Sequence, residues 1–419
     1  MHHKEILPNG LTVLSEEMPN IRSVSLGVWL KQGSRHEEPV ENGTSHFIEH
    51  LLFKGTATRS AADIARIIDS VGGQCDAFTS RENTCFYARV LDEHLPVAID
   101  LLSDIVLRPR FEEEHIEKER KVIFEEIRMV EDSPDELVFE LFNGHFWQSH
   151  PLGRPIAGTM ESVSALGQDA LLKYFRESYV PSNVVISAAG NLRSDAFLEA
   201  VGAAFASMPD GGTVRGVAAP SAHGGIVCRE KKDLEQLHIC LGVEAYPHGH
   251  EDRYDGYVLN TLLGGTMSSR LFQQIREQRG LAYTVFSSIS SFLDTGYMIV
   301  YAATRPGGGR EVIERICEEV RRVKEAPIGS DEVEAAKNHL KGSLMLSLES
   351  SSSRMSNLAR QDICFGRQYS LDEIIDRIDR VTPDSVQALA RRLLNSDRSA
   401  VAVLGNLSRM DLSEDQIRF

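Results

Sequence analysis

The chain lacks four features that would each point to a common class of protein. Its six cysteines include no C-x-x-C pair, so neither a disulfide scaffold nor a cysteine zinc site is indicated. It has no uninterrupted apolar run of about 18 residues, so no transmembrane helix is predicted. Basic residues are in deficit, and the formal net charge of −16 argues against nucleic acid as the main partner. The first residues do not follow the basic, apolar and small-residue order of a secretion signal, so we expect a cytoplasmic location.

The remaining composition is that of a globular chain with more than one core. Of its 419 residues 42% are hydrophobic, and single cores stop growing well below this size. Residues 208–225 are rich in glycine, proline and alanine and form the best linker candidate. Both halves end with the same order of elements: a helical pattern, a short turn, an apolar strand and then Gly-Asn-Leu. The strand and Gly-Asn-Leu occupy residues 184–192 in the first half and 400–407 in the second. We therefore predict two similar tandem domains, residues 1–210 and 226–419, joined by a linker at residues 211–225.

Each domain is predicted to be α+β, with a mostly antiparallel sheet flanked by helices, because strands and helices are mixed without regular βαβ alternation. Strand patterns rich in apolar and β-branched residues occur at residues 11–16, 24–30, 74–80 and 83–90. Helical patterns occur at residues 45–54, 61–71, 95–107 and 113–130. Comparable helices at residues 170–177 and 383–394 precede the two closing strands.

The sharpest local signal is the sequence His46-Phe47-Ile48-Glu49-His50, an H-x-x-E-H pattern that is typical of inverted zinc peptidases. Residues four apart on a helix lie on one face, so both imidazoles can reach one metal ion. Glu49 lies beside them, where it could activate a water molecule. Thr44 or Ser45 is expected to cap the start of this helix.

A catalytic zinc ion needs a third protein ligand and an open position for water. The best candidates lie in residues 117–127, a strongly helical run that is rich in carboxylates. Spacing alone cannot choose among Glu119, Glu125 and Glu126. Glu119 and Glu126 share a helix face, so one could bind the metal while the other orients a ligand or the water.

Residues 43–56 read Gly-Thr-Ser-His-Phe-Ile-Glu-His-Leu-Leu-Phe-Lys-Gly-Thr. This segment resembles the signature of the pitrilysin/insulinase family of zinc metallopeptidases, in particular the branch of the mitochondrial processing peptidase β subunit and its bacterial relatives. The resemblance covers nearly the whole chain, through residues 79–82, 125–127 and 150–156. It implies that Glu126 is the third ligand, that Glu119 is a supporting carboxylate, and that Glu49 is the base.

The same resemblance assigns an arginine and a tyrosine in the second half to substrate binding and to the reacting carbonyl. Arg276 and Tyr283 stand at the family's spacing, on an amphipathic helix that ends at Gly280 and runs into a strand. A guanidinium and a phenol can both donate hydrogen bonds to a developing oxyanion.

Two further substrate contacts are implied. Glu136 and Glu140 match acidic positions that hold a substrate arginine in processing peptidases, which predicts a preference for sites near basic residues. The strand of residues 74–79 resembles the family's edge strand, to which an extended substrate adds by main-chain hydrogen bonds through Ala77, Phe78 and Thr79. In Cys75-Asp76-Ala77 the central carboxylate stands where the family usually has the amide of Asn-Ala, which leaves the side-chain preference for substrate open.

The resemblance implies a zinc endopeptidase with one Zn²⁺ per chain, acting on peptides or unfolded precursor segments in a chamber built from four domains. One chain supplies two of them, so a homodimer is expected, with a heterodimer with an inactive homologue as the alternative. The rival functions are a non-catalytic structural subunit and a peptide-binding partner of another protease. Manganese or cobalt could occupy the same ligands.

Overall fold

The computed structural model describes residues 2–209, 211, 216–408, 410 and 412–419. In this part of the chain the strands are β1 His2–Ile6, β2 Thr12–Glu17, β3 Ser23–Leu30, β4 Gln74–Thr79, β5 Thr84–Leu91, β6 Val184–Gly190, β7 Gly225–Glu230, β8 Leu237–Ala245, β9 Ala282–Ser291, β10 Gly296–Thr304 and β11 Ala400–Gly405. The α-helices are α1 Thr44–Leu52, α2 Ala61–Ser70, α3 Leu95–Leu107, α4 Glu113–Asp132, α5 Pro134–Phe146, α6 Met160–Ala165, α7 Gln168–Ser178, α8 Ser194–Ala204, α9 Arg253–Asn260, α10 Gly309–Glu325, α11 Ser330–Ser347, α12 Ser351–Phe365, α13 Leu371–Asp379 and α14 Pro383–Leu393. The strands and helices expected from the sequence patterns are confirmed, with ends that agree to within two residues.

The first sheet has the strand order β1-β2-β6-β3-β5-β4. Its pairings are antiparallel except for that of β2 with β6, which is parallel. Strand β4 lies at one edge and pairs with β5 alone within this sheet. One side of its backbone therefore has hydrogen-bonding groups that the sheet does not use.

The second sheet has the order β7-β11-β8-β10-β9, again with a single parallel pairing, between β7 and β11. Strands β6 and β11 hold equivalent places, since each lies between a parallel and an antiparallel neighbour. Each also ends on a glycine with positive φ, 144° at Gly190 and 140° at Gly405, where a side chain would collide with the neighbouring strand. The α+β class and the duplicated architecture are thus confirmed.

The chain divides into two compact units that exchange segments. Unit 1 comprises the described residues of Met1–Met129, Arg154–Ala218 and Ser347–Gln368. Unit 2 comprises those of Val130–Gly153, Ala219–Leu346 and Tyr369–Phe419. Helix α5 therefore belongs to unit 2, although it precedes the predicted linker, and α12 belongs to unit 1, although it follows the predicted linker. The predicted linker includes residues 212–215, which lie outside the described residues, and the domain boundary there stays a prediction.

Each exchanged helix covers one face of the sheet in its unit. In unit 1, Met355 and Leu358 of α12 pack with Trp29 and Val185 in a buried cluster. In unit 2, α5 contributes Phe142 and Phe146 to a buried cluster that also contains residues of β8, β10 and β11. The opposite face of each sheet carries the larger core of its unit.

Within the described ranges, no helix combines the length and the apolar composition that a membrane crossing requires.

Candidate metal centre

Helix α1 presents the H-x-x-E-H residues because its other face is fixed in the core of unit 1. Four apolar side chains of the helix are fully buried there: Phe47, Ile48, Leu51 and Leu52. His46, Glu49 and His50 lie on the remaining side and stay partly exposed. Apolar residues at helical spacing thus orient the polar ones.

The start of α1 is capped differently from the sequence expectation. Thr44 and Ser45 both lie inside the helix, the N-cap is Gly43, and no side chain of the cap residue accepts a hydrogen bond. The buried carboxylate of Glu37 does so instead, accepting from the backbone N–H of Gly43 at 2.8 Å and of Ser45 at 2.7 Å. The expectation for Thr44 and Ser45 was wrong because Glu37 reaches the helix from a separate short segment, a contact that local sequence does not reveal.

Helix α4 brings a carboxylate to the two imidazoles. Ile116, Glu119 and Ile123 are buried, so the helix turns Glu126 toward α1. Glu126 Oε2 lies 3.5 Å from His46 Nε2 and 3.5 Å from His50 Nε2. One donor atom from each of these three residues lies within 4.8 Å of the other two, which makes them a possible metal-binding group.

The spacing of these donors fits zinc. Zn–N and Zn–O distances near 2.0–2.2 Å in a tetrahedron place neighbouring donors about 3.3–3.5 Å apart. Both histidine–glutamate distances have this value. His46 and His50 present their Nε2 atoms to the same carboxylate oxygen, so three donors converge while the open side could admit water.

The two imidazoles have different protonation preferences. Burial, reinforced by the neighbouring His50, lowers the pKa of His46 to about 4. Burial also disfavours the His50 cation, but hydrogen bonds and charge from Glu126 and Glu119 outweigh it and raise the pKa of His50. Protons therefore compete with a metal ion mainly at His50.

Glu119 supports His50 from behind. Its Oε2 lies 3.2 Å from His50 Nδ1, and its Oε1 lies 2.9 Å from Lys54 Nζ, so the buried carboxylate bridges His50 on α1 and Lys54 just after the end of that helix. A proton on Nδ1 leaves Nε2 free for a metal. His46 differs, because its buried Nδ1 has no hydrogen-bond partner among the described residues. Sequence reasoning did not single out Lys54.

Glu49 extends from the same helix toward the edge strand. Its Oε2 accepts a 2.5 Å hydrogen bond from Thr79 Oγ1, at the end of β4. Burial raises the pKa of Glu49, and the Thr79 hydrogen bond opposes this rise. A raised pKa makes this carboxylate a better proton acceptor, which is the property of a general base.

Glu125 and the β4 residues Ala77 and Phe78 are the other candidates from the sequence that lie in unit 1. Glu125 is exposed and pairs with Arg128, so it does not join the cluster. On β4, Ala77 is half-buried, whereas the Phe78 side chain lies on the other face, 40% exposed, and its ring packs edge-on against Trp29. The strand is at the sheet edge, as the resemblance implies.

The remaining predicted site residues lie in unit 2. Arg276 belongs to a π-helical turn, Phe272–Glu277, and Tyr283 follows at the start of β9, with its side chain 73% exposed. The Arg276 guanidinium carbon lies 5.0 Å from the Tyr283 ring centre, so these two predicted residues are neighbours. Glu136 and Glu140 lie one turn apart on α5.

Two imidazoles and a carboxylate that converge on one point, beside a further glutamate, form the donor set of hydrolytic zinc sites. Comparison with known proteins agrees with this class. Residues 12–160 match the model of the insulinase family of peptidases, M16, and residues 165–340 match that of the M16 inactive domain. The chain belongs to this family.

Its relatives are similar over nearly their full length. An uncharacterised zinc protease of Bacillus subtilis, YmxG, is 45% identical over 93% of this chain and 95% of its own. One from Streptomyces coelicolor is 42% identical, covering 96% of this chain and 89% of its own. A solved protease from Helicobacter pylori shares the fold with a TM-score of 0.91 at 22% identity, over 96% of this chain and 99% of its own.

Proposed function

We propose that the chain is a zinc-dependent endopeptidase in which His46, His50 and Glu126 hold Zn²⁺ and Glu49 is the general base. The observation that carries this proposal is the convergence of the three donors at zinc-like spacing. Manganese or cobalt could occupy the same donors in vitro, since imidazole and carboxylate bind all three ions.

Bound zinc would polarise the peptide carbonyl and lower the pKa of a water molecule, so that the water loses a proton readily as it attacks the carbonyl carbon. Glu49 takes a proton from the attacking water and later gives it to the departing amine. Glu119, together with Lys54, fixes the tautomer and orientation of His50. Tyr283 and Arg276 donate hydrogen bonds to substrate and to the developing oxyanion.

The proposal includes an assembly and a substrate class. A homodimer would supply four domains around a chamber, each site using zinc ligands from one subunit and the Arg276/Tyr283 pair from the other. A heterodimer with an inactive homologue is the alternative. Extended peptides or unfolded precursor segments would pair with the free side of β4. Glu136 and Glu140 would favour sites near basic residues. The enzyme would act in the cytoplasm.

The test is hydrolysis of quenched unfolded peptides by the purified chain, one peptide containing arginine and a matched one containing glutamine instead. We expect wild-type cleavage, faster for the arginine peptide, and loss of cleavage after chelation. Glu49→Gln should lose cleavage but retain about one zinc per chain, because it removes the base and no ligand. Failure of the zinc-loaded wild type to cleave either peptide, alone or as an isolated dimer, would contradict the proposal.

A further inference from the structure

The Glu49 carboxylate has one hydrogen-bond partner among the described residues, and this partner lies on the edge strand. Thr79 Oγ1 is 2.5 Å from Glu49 Oε2. The other oxygen, Oε1, receives no hydrogen bond from the described part of the chain. The two oxygens of the carboxylate therefore differ, one being held and the other available.

The hydroxyl of Thr79 has one proton, and its surroundings decide where that proton goes. The other nearby oxygen is Thr84 Oγ1, at 3.5 Å. Thr84 gives its own proton to the backbone carbonyl of Gln32 at 3.2 Å, so it could only accept from Thr79. A charged acceptor at the shorter distance outcompetes a neutral one at the limit of hydrogen bonding. Thr79 thus donates to Glu49.

Thr79 is held on a rigid frame. It pairs with Thr84 across the β4–β5 ladder, and the following turn is closed by a hydrogen bond from Ser80 N to the carbonyl of Asn83 at 2.8 Å. A β-branched side chain is stiff about its first torsion, whereas the terminal torsion of a glutamate is broad. The hydroxyl therefore restricts the carboxylate, and not the reverse.

We propose that Thr79 is a positioning residue, whose hydroxyl holds Glu49 Oε2 and thereby leaves Oε1 directed at the attacking water. This inference rests on the proposed function. As the water oxygen bonds to the carbonyl carbon, its proton moves to Oε1, and the same proton passes to the amine nitrogen when the C–N bond breaks. Since Thr79 is on the strand that would pair with substrate, the base is oriented by the element that aligns the scissile bond.

The test compares three variants of the full-length, zinc-loaded chain. Thr79→Val removes the hydroxyl at nearly constant shape, Thr79→Ser restores it, and Thr84→Val removes the neighbouring hydroxyl as a matched control. We expect Thr79→Val to lower kcat by about 10- to 100-fold, the cost of a misplaced catalytic group. KM and zinc content should stay near wild type. Thr79→Ser should recover most of kcat, and Thr84→Val should resemble wild type.

A second readout does not depend on activity. In a crystal structure of Thr79→Val we expect the Glu49 carboxylate to rotate or to occupy several orientations, with His46, His50 and Glu126 unmoved. An unchanged, ordered Glu49 would overturn the inference, as would unchanged kcat in Thr79→Val, a rise in KM alone, or no recovery in Thr79→Ser. If wild type cleaves no peptide, the proposed function fails, and the crystallographic comparison still decides the positioning role.

Discussion

At the scale of single residues, the proposed metal centre depends on contacts that extend beyond its proposed ligands. Lys54 holds one oxygen of Glu119, and the other oxygen of Glu119 faces Nδ1 of His50. Without the lysine, this buried carboxylate loses the cation that fixes its orientation and offsets its charge. His50 would then lose part of the support that keeps its Nε2 directed at the proposed metal position.

Lys54→Met is therefore expected to weaken zinc binding by about 10- to 100-fold, the range for residues that support a ligand. Competition with a chromophoric chelator measures this affinity directly. Lys118→Met is the matched control, because Lys118 pairs with Glu114 on the exposed surface of α4 and the change in charge is the same. Equal affinities in the two variants would show that Lys54 does not act through Glu119.

Sequence could identify the histidines but not the full set of partners. The i, i+4 spacing of His46 and His50 fixes their common face through helix geometry alone. The choice among Glu119, Glu125 and Glu126 depended on family resemblance, because all three lie on one helix. Lys54 follows the motif by one turn, yet its pairing depends on how α4 packs on α1, which no local pattern encodes.

At the scale of secondary-structure elements, the placement of α1 depends on Glu37. Its carboxylate accepts hydrogen bonds from the first backbone N–H groups of the helix, which otherwise lack partners. Burial raises the pKa of Glu37 to about 7, and the hydrogen bonds from Ser45 and Gly43 oppose this rise. The position of α1, which carries His46 and His50, is thus coupled to a titratable group.

We expect Glu37→Gln to destabilise unit 1 by about 1–3 kcal/mol, since both oxygens of the carboxyl group face backbone N–H groups and an amide has one acceptor oxygen. The pKa of Glu37 is higher in the folded than in the unfolded chain. Its contribution to the free energy of unfolding is therefore complete below about pH 4.5 and is lost as pH rises to about 7. The advantage of wild type over the variant should shrink between pH 5 and pH 8.

Urea denaturation at several pH values measures this difference. In a Trp147→Phe background, Trp29 in the core of unit 1 is the remaining tryptophan and reports the unfolding of that unit. A difference that stays constant, or grows, with rising pH would contradict the assigned titration.

At the scale of the whole molecule, the exchange of segments makes each unit discontinuous in sequence. Hydrophobic periodicity predicts that a helix has a buried face, but it does not identify the sheet that the face contacts. Helix α12 has a helical pattern like its neighbours, and only the structure shows that Met355 and Leu358 pack in unit 1. The tandem order of the halves was predictable because both end with the same pattern of elements. The membership of α5 and α12 was not predictable, because periodicity does not identify the sheet that a helix covers.

A fragment of residues 1–218 should therefore expose the sheet face that Trp29 and Val185 share with α12. We expect this fragment to aggregate and to bind an apolar dye. A synthetic peptide of residues 347–368, added in excess, should reduce both effects, as dye fluorescence and light scattering would record. The same peptide with Met355→Asp and Leu358→Asp is the control, and the idea fails if the two peptides act alike or if the fragment alone is monomeric.

The position of α12 in the sequence also determines when unit 1 can be completed during translation. Unit 1 needs residues up to Gln368, although its other segments end at Ala218. At about 5–20 residues per second, the ribosome takes roughly 8–30 s to make the intervening chain. During that interval one face of the first sheet is without α12, so the nascent chain exposes an apolar surface that is buried in the finished chain.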